Sequence, residues 1–257
     1  MKTDIDIDLS GKVAIITGGG RGFGAAIGHK LASKNCTIAI ADLSSAEAEK
    51  TVSEITKSNT VDAYSVMVDV GDRDSVGQMV SDVAKKSGHI DFLVNCAGVI
   101  AVGPVIETKL DDWDKVCRVN LSGSLYCAHA VAPYMRANGE GSIVNISSIS
   151  AKRGSGRFGN VLYGTTKGAV CTMTMGLAQE FGKFGIRVNA ILPGVADTAM
   201  TSPHMTKEAR ASALARIPLG RMTMPEDIAN VSLFLISRLA SNVTGTLIPV
   251  DGGYLVT

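Results

Sequence analysis

The stretch KVAIITGGGRGFGAAIGHKLA, residues 12–32, decides the fold class. Its apolar run at 12–17 predicts a buried strand, and the amphipathic pattern that follows predicts a helix. Gly18, Gly22 and Gly24 lie at the turn between them. Glycines at such a turn allow a tight bend and let backbone N–H groups approach a pyrophosphate at a helix N-terminus. Taken alone, the turn is explained equally well by the steric needs of a strand-to-helix connection.

The same strand-then-helix rhythm continues along the chain. Further strands are predicted at 36–42, 63–70, 90–95, 142–147, 186–192 and 246–250, and helices at 22–34, 44–57, 73–87, 111–137, 161–184 and 225–238. Strands that are apolar throughout are typical of a parallel sheet covered on both faces. With right-handed crossovers, this pattern predicts an α/β fold: one doubly wound Rossmann-type domain of about seven parallel strands, spanning 1–257. Residues 199–218 break the rhythm and are expected to form a substrate lid with a short helix at 206–216.

Composition excludes several classes of function. The 257 residues are 46% hydrophobic and carry a net charge of +1, without the basic excess of a nucleic-acid binder. No apolar run approaches the ~18 residues of a membrane span, and the acidic N-terminus lacks the apolar core of a signal peptide. Five scattered cysteines without a CxxC, and four dispersed histidines, indicate reduced thiols and no metal site. We therefore expect a cytoplasmic protein with no nucleic-acid, membrane or metal partner.

Asp42 ends the second predicted strand, 18 residues after Gly24. A carboxylate at this spacing accepts hydrogen bonds from the adenosine ribose hydroxyls and repels a 2′-phosphate, which favours NAD over NADP. Asp42 could instead cap the next helix, although Ser44 or Ser45 could serve there. Arg21, beside the glycine turn, could support a 2′-phosphate.

From about residue 10 to 253 the chain resembles the short-chain dehydrogenase/reductase family. The family motifs occur in order: TGGGRGFG (17–24) for TGxxxGxG, NCAG (95–98) for NNAG, the asparagine in CRVNLSG (117–123), VNISS (144–148), YGTTK (163–167) for YxxxK, PGVADT (193–198) and VDGG (250–253). Cys96 departs from the pattern, replacing the second asparagine of NNAG. The resemblance implies an NAD(P)-dependent oxidoreductase that interconverts a secondary alcohol and a ketone by hydride transfer.

By this resemblance the catalytic residues are Asn120, Ser148, Tyr163 and Lys167. Tyr163 and Lys167 share a helix face at i and i+4. A nearby ammonium is expected to lower the phenol pKa from about 10, making Tyr163 a general acid or base. Ser148 is preferred to Ser147 because the family's serine is the second of the pair, which leaves Ser147 to cap the strand end. Asn120 would order a water that links Lys167 to solvent, or would be a buried amide bonded to neighbouring backbone.

The resemblance also implies the residues that contact the cofactor. Lys167 would hold the nicotinamide ribose, and Asp69 and Val70 the adenine. Asn95 is a scaffold or a contact, and Thr198 binds the carboxamide or caps a helix. The implied set is Gly18, Gly20, Arg21, Gly22, Phe23, Gly24, Asp42, Leu43, Asp69, Val70, Asn95, Ala97, Gly98, Tyr163, Lys167, Pro193, Gly194, Val195 and Thr198.

The segment between Ser148 and Tyr163 is longer than in many family members and resembles some sugar-alcohol dehydrogenases. It contributes Lys152, Arg153, Arg157 and Asn160, which could line a polar pocket, cross a subunit boundary or lie in a solvated loop. A small polar substrate, such as a sugar alcohol, is therefore favoured.

Two other functions stay open. The first is 3-oxoacyl-[acyl-carrier-protein] reductase; Asp42 and Gln179 argue against it, whereas Arg136 could serve an acidic carrier protein. The second is a catalytically silent, cofactor-binding regulatory protein, which would be expected to lack one of the four catalytic residues. Relatives are usually tetramers paired through the helices equivalent to 111–137 and 161–184, so a homotetramer is expected.

Overall fold

Seven parallel strands form one sheet in the order β3-β2-β1-β4-β5-β6-β7. The computed structural model describes residues 7–155, 159–198, 200–202 and 205–257. The strands are β1 (Val13–Thr17), β2 (Thr37–Asp42), β3 (Ala63–Met67), β4 (Phe92–Asn95), β5 (Gly141–Ile146), β6 (Ile186–Pro193) and β7 (Leu247–Val250). The predicted seven-stranded parallel sheet is confirmed.

The helices follow the predicted rhythm with two differences. The described α-helices are α1 (Gly22–Ala32), α2 (Ser45–Ser58), α3 (Arg73–Ser87), α4 (Leu110–Val116), α5 (Gly123–Asn138), α6 (Ser150–Arg153), α7 (Val161–Phe181), α8 (Lys207–Leu214) and α9 (Pro225–Ile236). The helix predicted at 111–137 is divided by a π-helical segment, Cys117–Ser122. Helix α6 was not predicted, because a single turn is too short to show a periodic pattern.

The sheet is covered on both faces, which explains why its strands are apolar throughout. All five residues of β1 are buried. Successive side chains of a strand point to opposite faces: Ile16 packs in the core beneath α1 and α9, and Ile15 in the core beneath α3 and α5.

The carboxyl ends of the central strands meet at one edge of the sheet. Strand β1 pairs with β2 on one side and β4 on the other, so the order reverses there and opens a crevice. In register, Thr17 lies beside Asn95, and Asn95 lies beside Asn145. These three polar residues therefore form one row at the floor of the crevice.

None of the helices in the described part of the chain has both the length and the apolar character needed to cross a bilayer. Within the same residues, no group of three or more His, Cys, Asp or Glu side chains is arranged to hold a metal ion.

Candidate active site

The glycine turn connects β1 to α1 at the crevice. Gly18 has φ +63°, and a Cβ there would lie 2.7 Å from the Cα of Ala97. A Cβ on Gly24 would overlap the carbonyl oxygen of Gly18. Arg21 occupies the N-cap of α1 and gives that helix no side-chain hydrogen bond. The turn thus brings bare backbone and a helix N-terminus to the crevice, an arrangement suited to a pyrophosphate.

Asp42 ties the glycine turn to the end of β2. Its Oδ2 accepts a hydrogen bond from the backbone N of Gly20 at 2.9 Å, and its Oδ1 accepts one from the N of Ser44 at 3.0 Å. Ser44, rather than Asp42, caps α2 by accepting from the N of Glu47. Asp42 remains half-exposed and Leu43 beside it is 69% exposed, so the carboxylate is accessible at the edge of the crevice.

The end of β3 carries a second carboxylate, Asp69. Arg118 donates to Asp69 at 2.8 Å, and this hydrogen bond holds the pKa of Asp69 below its ordinary value. Val70 is buried and packs so closely on the start of α5 that a Cβ on Gly123 would lie 2.9 Å from the Val70 side chain. The pair lies at the same sheet edge as Asp42.

Asn95 serves as a scaffold at the end of β4. Its Nδ2 donates to the carbonyl of Ser124 at 3.2 Å and to the Oδ1 of Asn145 at 2.9 Å. Its buried Oδ1 has no hydrogen-bond partner among the described residues. Thr17 accepts from the N–H groups of Cys96 and Ala97 at 3.2 and 3.3 Å. Thr17 and Asn145 were missed in the sequence because a polar residue at a strand end has no distinctive pattern.

Asn120 lies in the π-helical segment and is fully buried. Its Nδ2 donates to the carbonyl of Val99 at 2.9 Å and to Thr166 at 3.2 Å, while its Oδ1 accepts from the N of Val99 at 2.8 Å. The side chain is therefore bonded to neighbouring backbone, as one of the two sequence alternatives expected. π-Helical turns are rare and are frequently found at functional sites.

Ser148, Tyr163 and Lys167 line one cavity, in which the Ser148 side chain lies close enough to Tyr163 to oppose the rise of its pKa. Lys167 is on the same face of α7; its Nζ donates to the carbonyl of Ile146 at 2.8 Å and lies 5.8 Å from the centre of the Tyr163 ring. The Ser147 hydroxyl instead donates to the backbone carbonyl of Lys167 at 2.8 Å. The choice of Ser148 over Ser147 thus agrees with the hydrogen bonding.

The expected effect of Lys167 on the Tyr163 pKa is wrong in this structure. Burial raises the pKa of Tyr163 to about 12, against the opposing hydrogen bond from Ser148. Burial also lowers the pKa of Lys167 to about 8. Removal from water disfavours the charged form of both groups, and it is the largest cause of each shift.

The cavity opens to solvent, and the space free of protein atoms in and around its mouth is about 870 Å³. Its wall includes these residues predicted to contact the cofactor: Phe23, Gly98, Tyr163, Lys167, Pro193, Gly194, Val195 and Thr198. Cys96 also lines it, and burial raises the pKa of its thiol to about 12, so the thiol is protonated at neutral pH.

The residues of the long segment before Tyr163 separate into different roles. Arg153 lines the cavity, whereas Lys152 is exposed and does not. Asn160 caps α7 by accepting from the backbone N atoms of Leu162 and Tyr163 at 3.0 and 3.4 Å. The prediction for Arg157 lies outside the described residues.

The far end of the chain supplies a wall that sequence analysis missed. Tyr254, in the 3₁₀ turn Tyr254–Val256, lines the cavity. Thr198 also lies there, in a turn where its carbonyl accepts from the N atoms of Thr201 and Ser202 at 3.0 and 2.8 Å. Helix α8 is capped by Thr206, so Thr198 is not its N-cap.

A family model described as Enoyl-(Acyl carrier protein) reductase matches residues 18–255. The chain belongs to the short-chain dehydrogenase/reductase family. It is 40% identical to the 3-oxoacyl-[acyl-carrier-protein] reductase of Thermotoga maritima, over 96% of this chain and 99% of the relative. It is 36% identical to the meso-2,3-butanediol dehydrogenase of Serratia marcescens, over 94% of each.

A solved structure of a putative NAD(P)-dependent gluconate 5-dehydrogenase from Beutenbergia cavernae, with bound NADP, superimposes with a TM-score of 0.91. It is 33% identical and covers 98% of this chain and 100% of its own. As a short-chain dehydrogenase/reductase, the present protein is an NAD(P)-dependent oxidoreductase that acts on CH–OH or keto groups.

Proposed function

We propose that this protein interconverts a secondary alcohol and its ketone, preferring NAD, with Tyr163 transferring the proton. The observation that carries the proposal is that Ser148, Tyr163 and Lys167 line one cavity, with the Ser148 side chain close enough to Tyr163 to influence its pKa. An acid or base must lie within hydrogen-bond reach of the oxygen it serves. The Ser148–Tyr163 pair offers one site where such an oxygen contacts both hydroxyls.

The residues at the crevice suit a nicotinamide dinucleotide. A Cβ on Gly18 would meet the backbone of Ala97, and a Cβ on Gly24 would meet that of Gly18, so the turn requires glycines. Glycines place no side chain between the backbone of the turn and a pyrophosphate. The turn from Gly18 to Gly24 would hold the pyrophosphate, Asp42 the adenosine ribose and Lys167 the nicotinamide ribose. The cofactor, when bound, supplies the hydride acceptor or donor. The protein orients the substrate oxygen and controls its proton.

The high pKa of Tyr163, about 12, keeps its phenol protonated at neutral pH. Tyr163 is therefore ready to donate a proton to the oxygen of a ketone during reduction. In the direction of alcohol oxidation Tyr163 must first release its own proton to solvent, so that the phenolate can accept the proton of the alcohol. The Ser148 side chain lowers the pKa of Tyr163 and so favours that phenolate. Asn120 holds the loop after β4 in place through its two hydrogen bonds to Val99.

The test of function is a panel of polyols, sugars and ketones, supplied with NAD or NADP and followed at the nicotinamide absorbance. The Tyr163→Phe variant should lose turnover and retain cofactor binding, because the ring remains and only the proton donor is removed. A Tyr163→Phe variant with wild-type turnover contradicts the proposal. Tight cofactor binding without turnover of any panel member favours the silent regulatory alternative.

The preference for NAD rests on Asp42, a half-exposed carboxylate where a ribose 2′-phosphate would meet it. In the Asp42→Ser variant, the ratio of kcat/KM with NAD to kcat/KM with NADP should fall at least about tenfold, which corresponds to about 1.4 kcal/mol. Arg21→Met is the matched control, since Arg21 lies on the same turn. A ratio that falls with Arg21→Met and not with Asp42→Ser would assign the discrimination to Arg21.

The 40% identity to a 3-oxoacyl-[acyl-carrier-protein] reductase supports a second candidate. Arg136, on α5, lies 4.6 Å over the ring of Phe184, beside Lys183 at 5.1 Å from the same ring. Such a positive patch suits an acidic carrier protein. Reduction of a 3-oxoacyl thioester with NADPH at a higher kcat/KM than any alcohol or ketone with NAD would favour this candidate.

We further propose one domain with a lid at 199–218, a homotetramer and a cytoplasmic location. Exposed apolar side chains on the helices expected to pair support the tetramer: Leu125 is 44% exposed and Met175 46%. Five cysteines without a disulfide support the location. Light scattering after size exclusion tests the tetramer, and a monomer mass would refute it.

A further inference from the structure

Two arginines flank one buried tyrosine at the cavity. The Arg153 guanidinium, at the end of α6, lies 5.1 Å from the centre of the Tyr254 ring, and the Arg216 guanidinium lies 4.8 Å from the same ring. Tyr254 is only 5% exposed and packs with Ile217 and Val195. The ring is thus held by the core, and the stack gives the Arg153 side chain a fixed support.

The positive charge of Arg153 has no carboxylate partner in the described part of the chain. No Asp or Glu oxygen there lies within 4.0 Å of Arg153 or of Arg216. Asp251 lies three residues before Tyr254, and its two carboxylate oxygens accept hydrogen bonds from the backbone N atoms of Gly253 and Leu255, each at 2.9 Å.

The described cavity wall has two cations, Lys167 and Arg153, and no carboxylate. Lys167 is buried and donates to the carbonyl of Ile146 at 2.8 Å. Arg153 is exposed and lies over a ring face, which leaves its N–H groups free to meet an anion. A guanidinium presents paired N–H donors that match the two oxygens of a carboxylate.

We propose that Arg153 binds a carboxylate of the substrate, so that the protein acts on a hydroxy acid and the corresponding keto acid. This inference rests on the proposed dehydrogenase function and names the substrate class of that same site. Ser148 and Tyr163 hold the reacting oxygen while Arg153 holds the acid group of the same molecule. Arg216 and Tyr254 are positioning residues that act through Arg153.

The experiment compares acids with neutral alcohols of similar length, using NAD. The pairs are gluconate with sorbitol, and 3-hydroxybutanoate with 1,3-butanediol. We expect the acid to be preferred at least about tenfold in kcat/KM in one pair or both, because hydrogen bonds between charged groups are stronger than those to a neutral hydroxyl. The preference should decrease as salt concentration rises.

Substitution of Arg153 provides the decisive arm. Arg153→Met should lower kcat/KM for the acid about 10- to 100-fold, mainly through KM, and should change the neutral partner less than threefold (roughly 0.6 kcal/mol). Arg153→Lys should give a kcat/KM for the acid between those of wild type and Arg153→Met, since lysine keeps the charge but lacks the paired N–H donors of a guanidinium. Lys152→Met is the matched control on the same helix, because Lys152 is exposed and outside the cavity wall.

Substitution of Tyr254 tests independently whether its ring positions the Arg153 side chain. Tyr254→Phe keeps the ring and should retain the acid preference, whereas Tyr254→Leu should raise KM for the acid with kcat little changed. If Tyr254→Leu fails to fold, the exposed Arg153 variants decide the matter.

The outcomes separate this inference from the proposed function. Turnover confined to uncharged substrates, equal use of acid and alcohol, or an acid preference retained in Arg153→Met overturns the inference and leaves the dehydrogenase intact. Absence of turnover with every alcohol, acid, sugar and ketone overturns both.

Discussion

We predict that the buried Lys167, which we propose takes part in catalysis, lowers the stability of the folded protein. Burial lowers its pKa from 10.5 to about 8, and its side chain is almost entirely removed from water. At neutral pH the folded state must therefore hold an ammonium in a site that favours the neutral amine. We predict that Lys167→Met abolishes turnover and increases the free energy of unfolding at pH 7.

The magnitude follows from the pKa change. Each pKa unit corresponds to about 1.4 kcal/mol, so the difference between 10.5 and about 8 corresponds to roughly 3 kcal/mol. The variant also loses the 2.8 Å hydrogen bond to the carbonyl of Ile146, which offsets about 1–2 kcal/mol. A net stabilisation of about 1–2 kcal/mol is expected.

The pH dependence identifies the cause. Below the folded pKa of about 8 both states are protonated, and the penalty is complete. Between about 8 and 10.5 the unfolded chain binds more protons than the folded protein, so wild-type stability rises with pH relative to the variant. Above 10.5 both states are neutral and the ammonium penalty is absent.

The assay is urea unfolding of the cofactor-free proteins from pH 7 to 10.5, at one protein concentration because oligomerisation shifts apparent stability. Lys152→Met, at an exposed position, is the control and should differ from wild type by about 0.5 kcal/mol or less at every pH. A Lys167→Met variant less stable than wild type at pH 7, or an advantage that stays constant up to pH 10.5, refutes the reasoning.

Three further predictions concern the turn, the helix that carries Tyr163, and the phenol itself. Gly18→Ala should cost about 2–4 kcal/mol in thermal unfolding and prevent cofactor binding, because φ is +63° and the new Cβ would lie 2.7 Å from the Cα of Ala97; unchanged cofactor affinity would contradict this. Asn160→Ala should cost about 1–2 kcal/mol by removing the N-cap of α7, while Asn160→Asp, which keeps the acceptor, should cost less; equal losses would argue against capping. In cofactor-free protein, the absorbance difference between wild type and Tyr163→Phe should show no phenolate below about pH 10.5 because the Tyr163 pKa is about 12; a midpoint below pH 9 would disprove it.

Local signals in the sequence were sufficient for most of the fold. Apolar strands predicted a sheet covered on both faces, and all seven strands are present in parallel. Helix α6 and the π-helical segment Cys117–Ser122 escaped prediction. Helix α6 is a single turn, too short to show a periodic pattern. The π-helical segment carries the tertiary hydrogen bonds between Asn120 and Val99, which a periodic pattern does not report.

The motifs predicted which residues lie together at the cavity, but they did not predict the pKa values of those residues. Spacing and motif order pointed to Tyr163 and Lys167 on one helix face, which is a local property of α7. Their pKa values depend on how completely the surrounding elements remove them from water, and a sequence does not report that burial. The sign of the effect on Tyr163 was therefore wrong when argued from the neighbouring lysine alone.

By itself, the sequence determined the parallel α/β fold, the glycine turn and the motif positions at which the family's four catalytic residues are expected, because each depends on residue types at short, regular spacing. Only the tertiary structure decided which polar side chains serve the cavity. It placed Arg153 there and brought Tyr254 from the far end of the sequence to the same wall. The physical reason is that their contact depends on packing between segments about a hundred residues apart, which no local pattern encodes.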